Sequence, residues 1–145
     1  MDYQQRQPTT NLVKCRTDAA WNKGRKKACL AWIFNGLPNT LQRSGSTTHD
    51  FVNSPLIAEE LAIRSGLCMA ATMELSKLKI CSDSSTLIAA INNKYQMKEI
   101  VGIVRDIQEI SSGFDFIVFS HISRKDNGET YSLAKHALEL SLCNI

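Results

Sequence analysis

Asp18, Glu59 and Asp83 are three acids in distant parts of the chain, each standing where an α/β protein can use a carboxylate. Asp83 falls where residues 77–82, a strand by their apolar pattern, give way to a helical pattern, and open α/β sheets place their ligands at the carboxyl ends of strands. Ser82-Asp83-Ser84 suits a helix cap equally well, an oxygen accepting from an orphan backbone N–H. Asp18 belongs to an alternating segment, with Val13, Cys15, Thr17 and Ala19 on one face and Lys14, Arg16, Asp18 and Ala20 on the other. Its carboxylate therefore points away from the more apolar side. Glu59 and Glu60 are adjacent on a helical stretch and project about 100° apart, so they cannot share a role. Glu60 stands four residues before Arg64, the favourable orientation for a surface ion pair. Glu59 instead shares a stripe with Leu56, Ile63, Gly66 and Ala70, although Ile57, Leu61, Cys68 and Leu75 form a second apolar stripe.

The elements that must position these acids follow from periodicity and turn chemistry. Residues 1–11 are polar, without periodicity, and include Pro8; they are expected to be a disordered leader before a single domain over 12–145. Residues 13–20 suit a strand. A charged turn around Gly24 joins it to the apolar run 28–34, which together signal a hairpin. Residues 35–39 read as a second turn, 40–44 as a short third strand and 45–53 as a loop. Ser54-Pro55 is a helix entry, Ser as cap and Pro preorganised for the first helical position, with the helix reaching about Leu75. A strand over 77–82, helices over 84–93 and 98–111, a strand over 114–120 and a closing helix over 127–142 complete the order. This is an α/β pattern beginning with three antiparallel strands.

At 145 residues the chain can bury one core without staples, and its composition matches neither disordered nor membrane classes. A net charge of +3 permits a phosphate-binding surface without arguing for one. Cys15, Cys29, Cys68, Cys81 and Cys143 are odd in number, widely spaced and free of CxxC pairs, as expected of reduced thiols in an intracellular protein of the nucleus or cytoplasm. No targeting signal or membrane span is legible, and a monomer is expected.

Thr17-Asp18-Ala19-Ala20-Trp21, the run 28–33, Ser54-Pro55-Leu56-Ile57-Ala58-Glu59, Ser82-Asp83-Ser84 and Ser132-Leu133-Ala134-Lys135 occur in this order. Together they resemble the ribonuclease H-like domains of the plant group related to retroelement reverse transcriptases, from about residue 12 onward. The resemblance implies a five-stranded mixed sheet of order 3-2-1-4-5 with helices on both faces. It also implies an active site in which Asp18, Glu59 and Asp83 hold magnesium, or manganese in its place. Magnesium is a hard cation that prefers oxygen ligands, and two such ions can flank a phosphodiester under in-line attack. The implied activity is endonucleolytic cutting of the RNA strand of an RNA–DNA hybrid.

The closing motif of that family reads Arg-x-x-Asn-x-x-Ala-Asp-x-Leu-Ala; here Arg124, Asn127, Leu133 and Ala134 match, Thr130 stands at the motif's alanine, and Tyr131 stands at the fourth carboxylate position. A phenol is a poorer magnesium ligand than a carboxylate, so metal binding should be weakened. Asp126 and Glu129 are close in sequence, yet neither lies one helical turn from Tyr131. Cys29 and Ala31 replace glycines common in plant relatives and should alter packing more than chemistry. Lys23, Arg25, Lys26 and Lys27 on the hairpin turn, with Arg124 and Asn127 near the last helix, are candidate nucleic-acid contacts. Trp21 and Trp32 read as hairpin or core packing, and His121 and His136 are assigned no role. Two readings follow: a metal-dependent hybrid ribonuclease impaired at Tyr131, or an inactive retroelement-derived module that binds nucleic acid or protein.

Overall fold

The alternating segment forms β1 (Val13–Asn22), the centre of a five-stranded sheet in a computed structural model that describes residues 12–38, 42–93 and 98–143. It pairs antiparallel with β2 (Lys27–Asn35), which in turn pairs antiparallel with β3 (Arg43–His49). On its other side β1 runs parallel to β4 (Lys77–Ser82), and β4 runs parallel to β5 (Phe116–His121). The order β3-β2-β1-β4-β5 is the one that the motif resemblance implies. α1 (Pro55–Thr72), α2 (Ser85–Asn93), α3 (Val101–Ser111) and α4 (Gly128–Cys143) complete the chain, a short 3-10 turn over Lys125–Asn127 leading into α4. None of the described helices is long and apolar enough to cross a membrane. The expected leader, Asn39 of the expected turn, and Thr40 and Leu41 of the expected third strand lie outside the described residues.

β1 through β3 are longer than their patterns indicate, and the third strand is displaced. It runs Arg43–His49 instead of 40–44, so most of the expected loop 45–53 is strand. The cause is that β3 is a polar edge strand, held by its backbone ladder to β2 and not by apolar side chains. Gly45 sits under the Trp32 ring, where a Cβ would come within 2.8 Å of the indole. A glycine that reads as loop in sequence is thus a close approach within a sheet.

One face of the sheet carries the main core, in which Cys15, Phe34, Leu78 and Ile80 meet Ile63 and Leu67 of α1, Leu87 of α2 and Ile107 of α3. On the other face Ala20, Cys29 and Ala31 pack against Ala134 and Leu138 of α4, so Cys29 and Ala31 do serve packing. Ser54 caps α1, its Oγ accepting from Ile57 N at 3.1 Å, with Pro55 at the first helical position. α1 lies close on β1 because Gly66 has no side chain: a Cβ there would stand 3.0 Å from Thr17 Cγ2 and 3.1 Å from Cys15 Sγ. Gly66 is two turns from Glu59 on the same stripe, and this approach carries Glu59 toward β1.

Glu60 departs from expectation. Its ion pair with Arg64 does not form; Arg64 Nη1 instead reaches Asp106 Oδ2 on α3 at 3.1 Å. α3 covers this side of α1, leaving Glu60 0% exposed and both its oxygens without a hydrogen-bond partner among the described residues. A buried carboxylate without a partner resists ionisation. Burial pushes its pKa up to about 8, with the charges of Glu99 and Asp106 adding and that of Arg64 opposing.

Because the folded state holds this proton more tightly than the unfolded chain, the stabilisation is complete below 4.5 and is lost as pH rises toward about 8. Glu60→Gln, which keeps the shape and removes the titration, should flatten the fall in thermal midpoint across that window and raise stability at its alkaline end. Gly66→Val should force α1 off β1, costing about 1–3 kcal/mol in denaturant unfolding.

Candidate functional site

β1 and β4 are registered only from Val13↔Leu78 to Arg16↔Cys81, and beyond that point their pairing stops. Asp18 follows the last β1 pair by two residues and Asp83 follows the last by two on β4, so the two acids flank the mouth where the strands part. α1 packs over the same end of the sheet and supplies Glu59 from its second turn. One ligand oxygen from each of Asp18, Glu59 and Asp83 can be chosen so that all lie within 4.8 Å of one another. Among the described residues no other acid, histidine or cysteine joins this group. The cluster opens into a cleft of about 380 Å³ walled by Trp21, Pro55, Ala58, Arg124, Gly128 and Tyr131.

The electrostatics are those of acids held together in a poorly solvated crevice. Asp18 is buried, and its Oδ1 accepts from Ala19 N at 2.8 Å. Burial raises its pKa, the Asp83 charge adds to the rise, and the Ala19 hydrogen bond and the Arg124 charge oppose it. Glu59 is raised further, by burial first and then by the Asp18 and Asp83 charges, and its Oε1 is buried without a hydrogen-bond partner. Like charges this close favour either a shared proton or a bound cation. A set of three carboxylates, one with an unsatisfied buried oxygen, fits a hard divalent ion.

The capping alternative for Asp83 is resolved by its neighbour. Ser84 Oγ accepts from Leu87 N at 3.3 Å, and Ser84 O accepts from Ile88 N at 3.1 Å. Ser82 Oγ in turn accepts from Ser84 N at 3.1 Å, so serines build the entry to α2 and the Asp83 carboxylate is left to the cluster.

Tyr131 does reach the site, lining the cleft from the first turn of α4 at 43% exposure, with Lys135 Nζ 5.9 Å from its ring centre. Neither Asp126 nor Glu129 replaces the missing acid. Glu129 is instead engaged by Arg16, two residues before Asp18 on β1, at 2.9 Å. Arg124 lines the cleft and is the one cation in its wall among the described residues, facing the acids from the turn before α4.

Among the candidate nucleic-acid contacts, Lys23, Arg25 and Lys26 are exposed on the β1–β2 turn, while Lys27 is half-buried and 3.7 Å from Asp50. Asn127 is corrected: it is 0% exposed, and its Nδ2 donates to Thr17 O at 2.9 Å. That bond ties the start of α4 to the residue before Asp18, so Asn127 builds the cleft without facing its contents. Trp21 borders the cleft and donates from Nε1 to Val52 O at 2.7 Å, whereas Trp32 is core. Sequence reasoning missed the Gly66 approach and the Asn127 clamp; the Arg-x-x-Asn spacing was the available signal for the second.

Residues 16–137 match the sequence profile of a family described as reverse transcriptase-like. No curated protein matches the chain. Among solved structures, ribonuclease H1 from the halophilic archaeon Halobacterium salinarum superposes with a TM-score of 0.77 at 21% identity, covering 88% of this chain and 97% of that one. The N-terminal RNase H domain of a Mycobacterium tuberculosis protein gives a TM-score of 0.80 at 14% identity, covering 93% and 99%. LC11-RNase H1, isolated from compost and solved in complex with an RNA/DNA hybrid, gives 0.78 at 17% identity, covering 90% and 99%. Identities this low speak for the fold alone. The profile match spans most of the chain, including all three acids, and on that ground, with a ribonuclease H fold beneath it, the protein belongs to the reverse transcriptase-like family.

Proposed function

We propose that the chain is a metal-dependent ribonuclease that cuts the RNA strand of an RNA–DNA hybrid, with Asp18, Glu59 and Asp83 as its magnesium ligands. The observation carrying this reading is the convergence of these three carboxylates, within 4.8 Å, at the point where the central strands part. When bound, magnesium supplies the positive charge that stabilises a phosphodiester in in-line attack, and manganese can take its place.

The chain's own residues supply the rest. Asp18 is fixed by its hydrogen bond to Ala19 N, and Glu59 by the α1–β1 approach at Gly66. Their raised affinity for protons means that a cation must displace protons to bind. Arg124 is placed to meet a phosphate oxygen at the rim of the cleft, and Trp21 offers a flat wall opposite α4. The exposed Lys23, Arg25 and Lys26 extend the positive surface beyond the cleft. The hybrid as substrate is supported by the family match and by the bound ligand of the LC11 ribonuclease, whose fold this chain shares.

A second reading, a module that binds nucleic acid without cutting it, is favoured by Tyr131 at the position where the family's fourth acid stands. A phenol there leaves the site one negative charge short of the four-acid pattern.

Asp83→Asn should lower magnesium-dependent cleavage of a labelled hybrid by roughly a hundredfold or more, the loss of about 3 kcal/mol of transition-state stabilisation. Salt-sensitive hybrid binding by the wild type with no cleavage would instead establish the second reading. Tyr131→Asp should raise cleavage, or lower the magnesium concentration that half-saturates it, by roughly tenfold, about 1.4 kcal/mol. If neither quantity moves, Tyr131 does not occupy the fourth ligand position.

A further inference from the structure

Phe51 is 90% exposed, the most exposed of the large apolar side chains among the described residues, and its backbone is left-handed with φ of +61°. A non-glycine residue is disfavoured in that conformation, and at this exposure the ring gains no packing that would offset the strain. Lys26, on the turn between β1 and β2, is also left-handed, with φ of +49°. Lys26 is bonded to the residue that follows Phe51, since Val52 N donates to Lys26 O at 2.7 Å. The loop after β3 is thereby fastened to the basic turn, with the exposed Phe51 one residue from the bond and Lys23, Arg25 and Lys26 exposed on the turn it joins. These three cations are exposed, and among the described residues none of them takes part in an ion pair. The patch adjoins the acid cleft, because Trp21, which lines the cleft, donates to Val52 O.

We propose that Phe51 and the cations of the β1–β2 turn form a docking surface for unpaired nucleic acid, the ring stacking on a base while Lys23, Arg25 and Lys26 grip the flanking phosphates. Alternating flat apolar faces and negative charges are the chemistry of a nucleic-acid strand, and an exposed ring next to unpaired cations is its complement. The strand is unpaired because a base inside a duplex has both faces covered by its neighbours, whereas an overhang or a single strand offers one. The surface would hold the single-stranded end of a substrate whose paired part lies in the cleft. Only that last placement rests on the proposed function.

The test is fluorescence anisotropy of the full chain without magnesium, using three labelled probes: a blunt RNA–DNA hybrid, the same hybrid with a single-stranded DNA overhang, and the overhang oligonucleotide alone. The overhang should tighten binding roughly tenfold over the blunt hybrid, the range of one stacked base. Phe51→Ala should remove this difference without changing blunt-hybrid affinity, and Phe51→Trp should keep it. Replacing Lys23 and Arg25 by Ala should reduce the salt dependence of binding to the overhang oligonucleotide. Phe51→Ala is expected to fold, since the side chain is almost wholly outside the core, and circular dichroism checks this. Equal affinity of the wild type for blunt and overhang hybrids, or an overhang preference that survives Phe51→Ala, overturns the proposal. If the overhang oligonucleotide binds through Phe51 but the blunt hybrid is neither bound in this assay nor cut once magnesium is added, the docking surface stands and the hybrid-ribonuclease reading falls. If the blunt hybrid is cut once magnesium is added and the overhang adds nothing to binding, the reverse holds.

Discussion

Repulsion between Asp18, Glu59 and Asp83 is the constraint around which the molecule is organised. Three carboxylates within 4.8 Å in a crevice poor in solvent are tolerated only if protons or a cation screen them, and the raised proton affinities of Asp18 and Glu59 record that tension. The fold creates the crevice by ending the β1–β4 ladder at Arg16↔Cys81 and letting the two strands part. It then closes the walls from both faces of the sheet, with α1 brought in by the missing side chain of Gly66 and α4 anchored by the buried Asn127 amide. None of these devices is itself acidic, yet the distances among the acids depend on all of them.

The polar links around α1 show the same economy. Ser54 caps the helix through Ile57 N and also donates from Oγ to Glu99 Oε2 at 2.7 Å, and Arg64 bridges to Asp106. The turn before α3 is therefore joined to the start of the helix bearing Glu59, and α3 itself to its middle, with the buried Glu60 between the two links. One helix thus presents two acids to two different surroundings. Glu59 faces the other carboxylates across the cleft, while Glu60 faces a packed helix interface, and both are held toward their protonated forms by burial.

Most of the architecture was legible because its signals are local. Alternation in 13–20, the Ser54-Pro55 entry, and the strand-to-helix change at Asp83 each follow from the physics of a few neighbouring residues, and the spaced motifs added the sheet order. What was not legible depends on residues far apart in the chain. Arg43–His49 looks like loop because its polar side chains carry no pattern, and only β2 across the ladder makes it a strand. Glu60 looks like a surface acid because the helix that buries it lies some forty residues on, and Arg64 is taken by Asp106 from that same helix. Asn127 looked available to a ligand because its acceptor, Thr17 O, belongs to the first strand. Asp83 was ambiguous between cap and ligand until Ser84 proved to hold the cap.

The bond from Asn127 to Thr17 spans 110 positions of the chain, among the longest separations in the molecule. Loop closure over such a separation is slow and is completed late, so a chain emerging from a ribosome has released all three acids before the residues that fasten α4 exist. During synthesis the acids precede the wall that encloses them. An early partial fold would hold the negative charges without a finished cleft, and the enclosed site would appear only with the final helix.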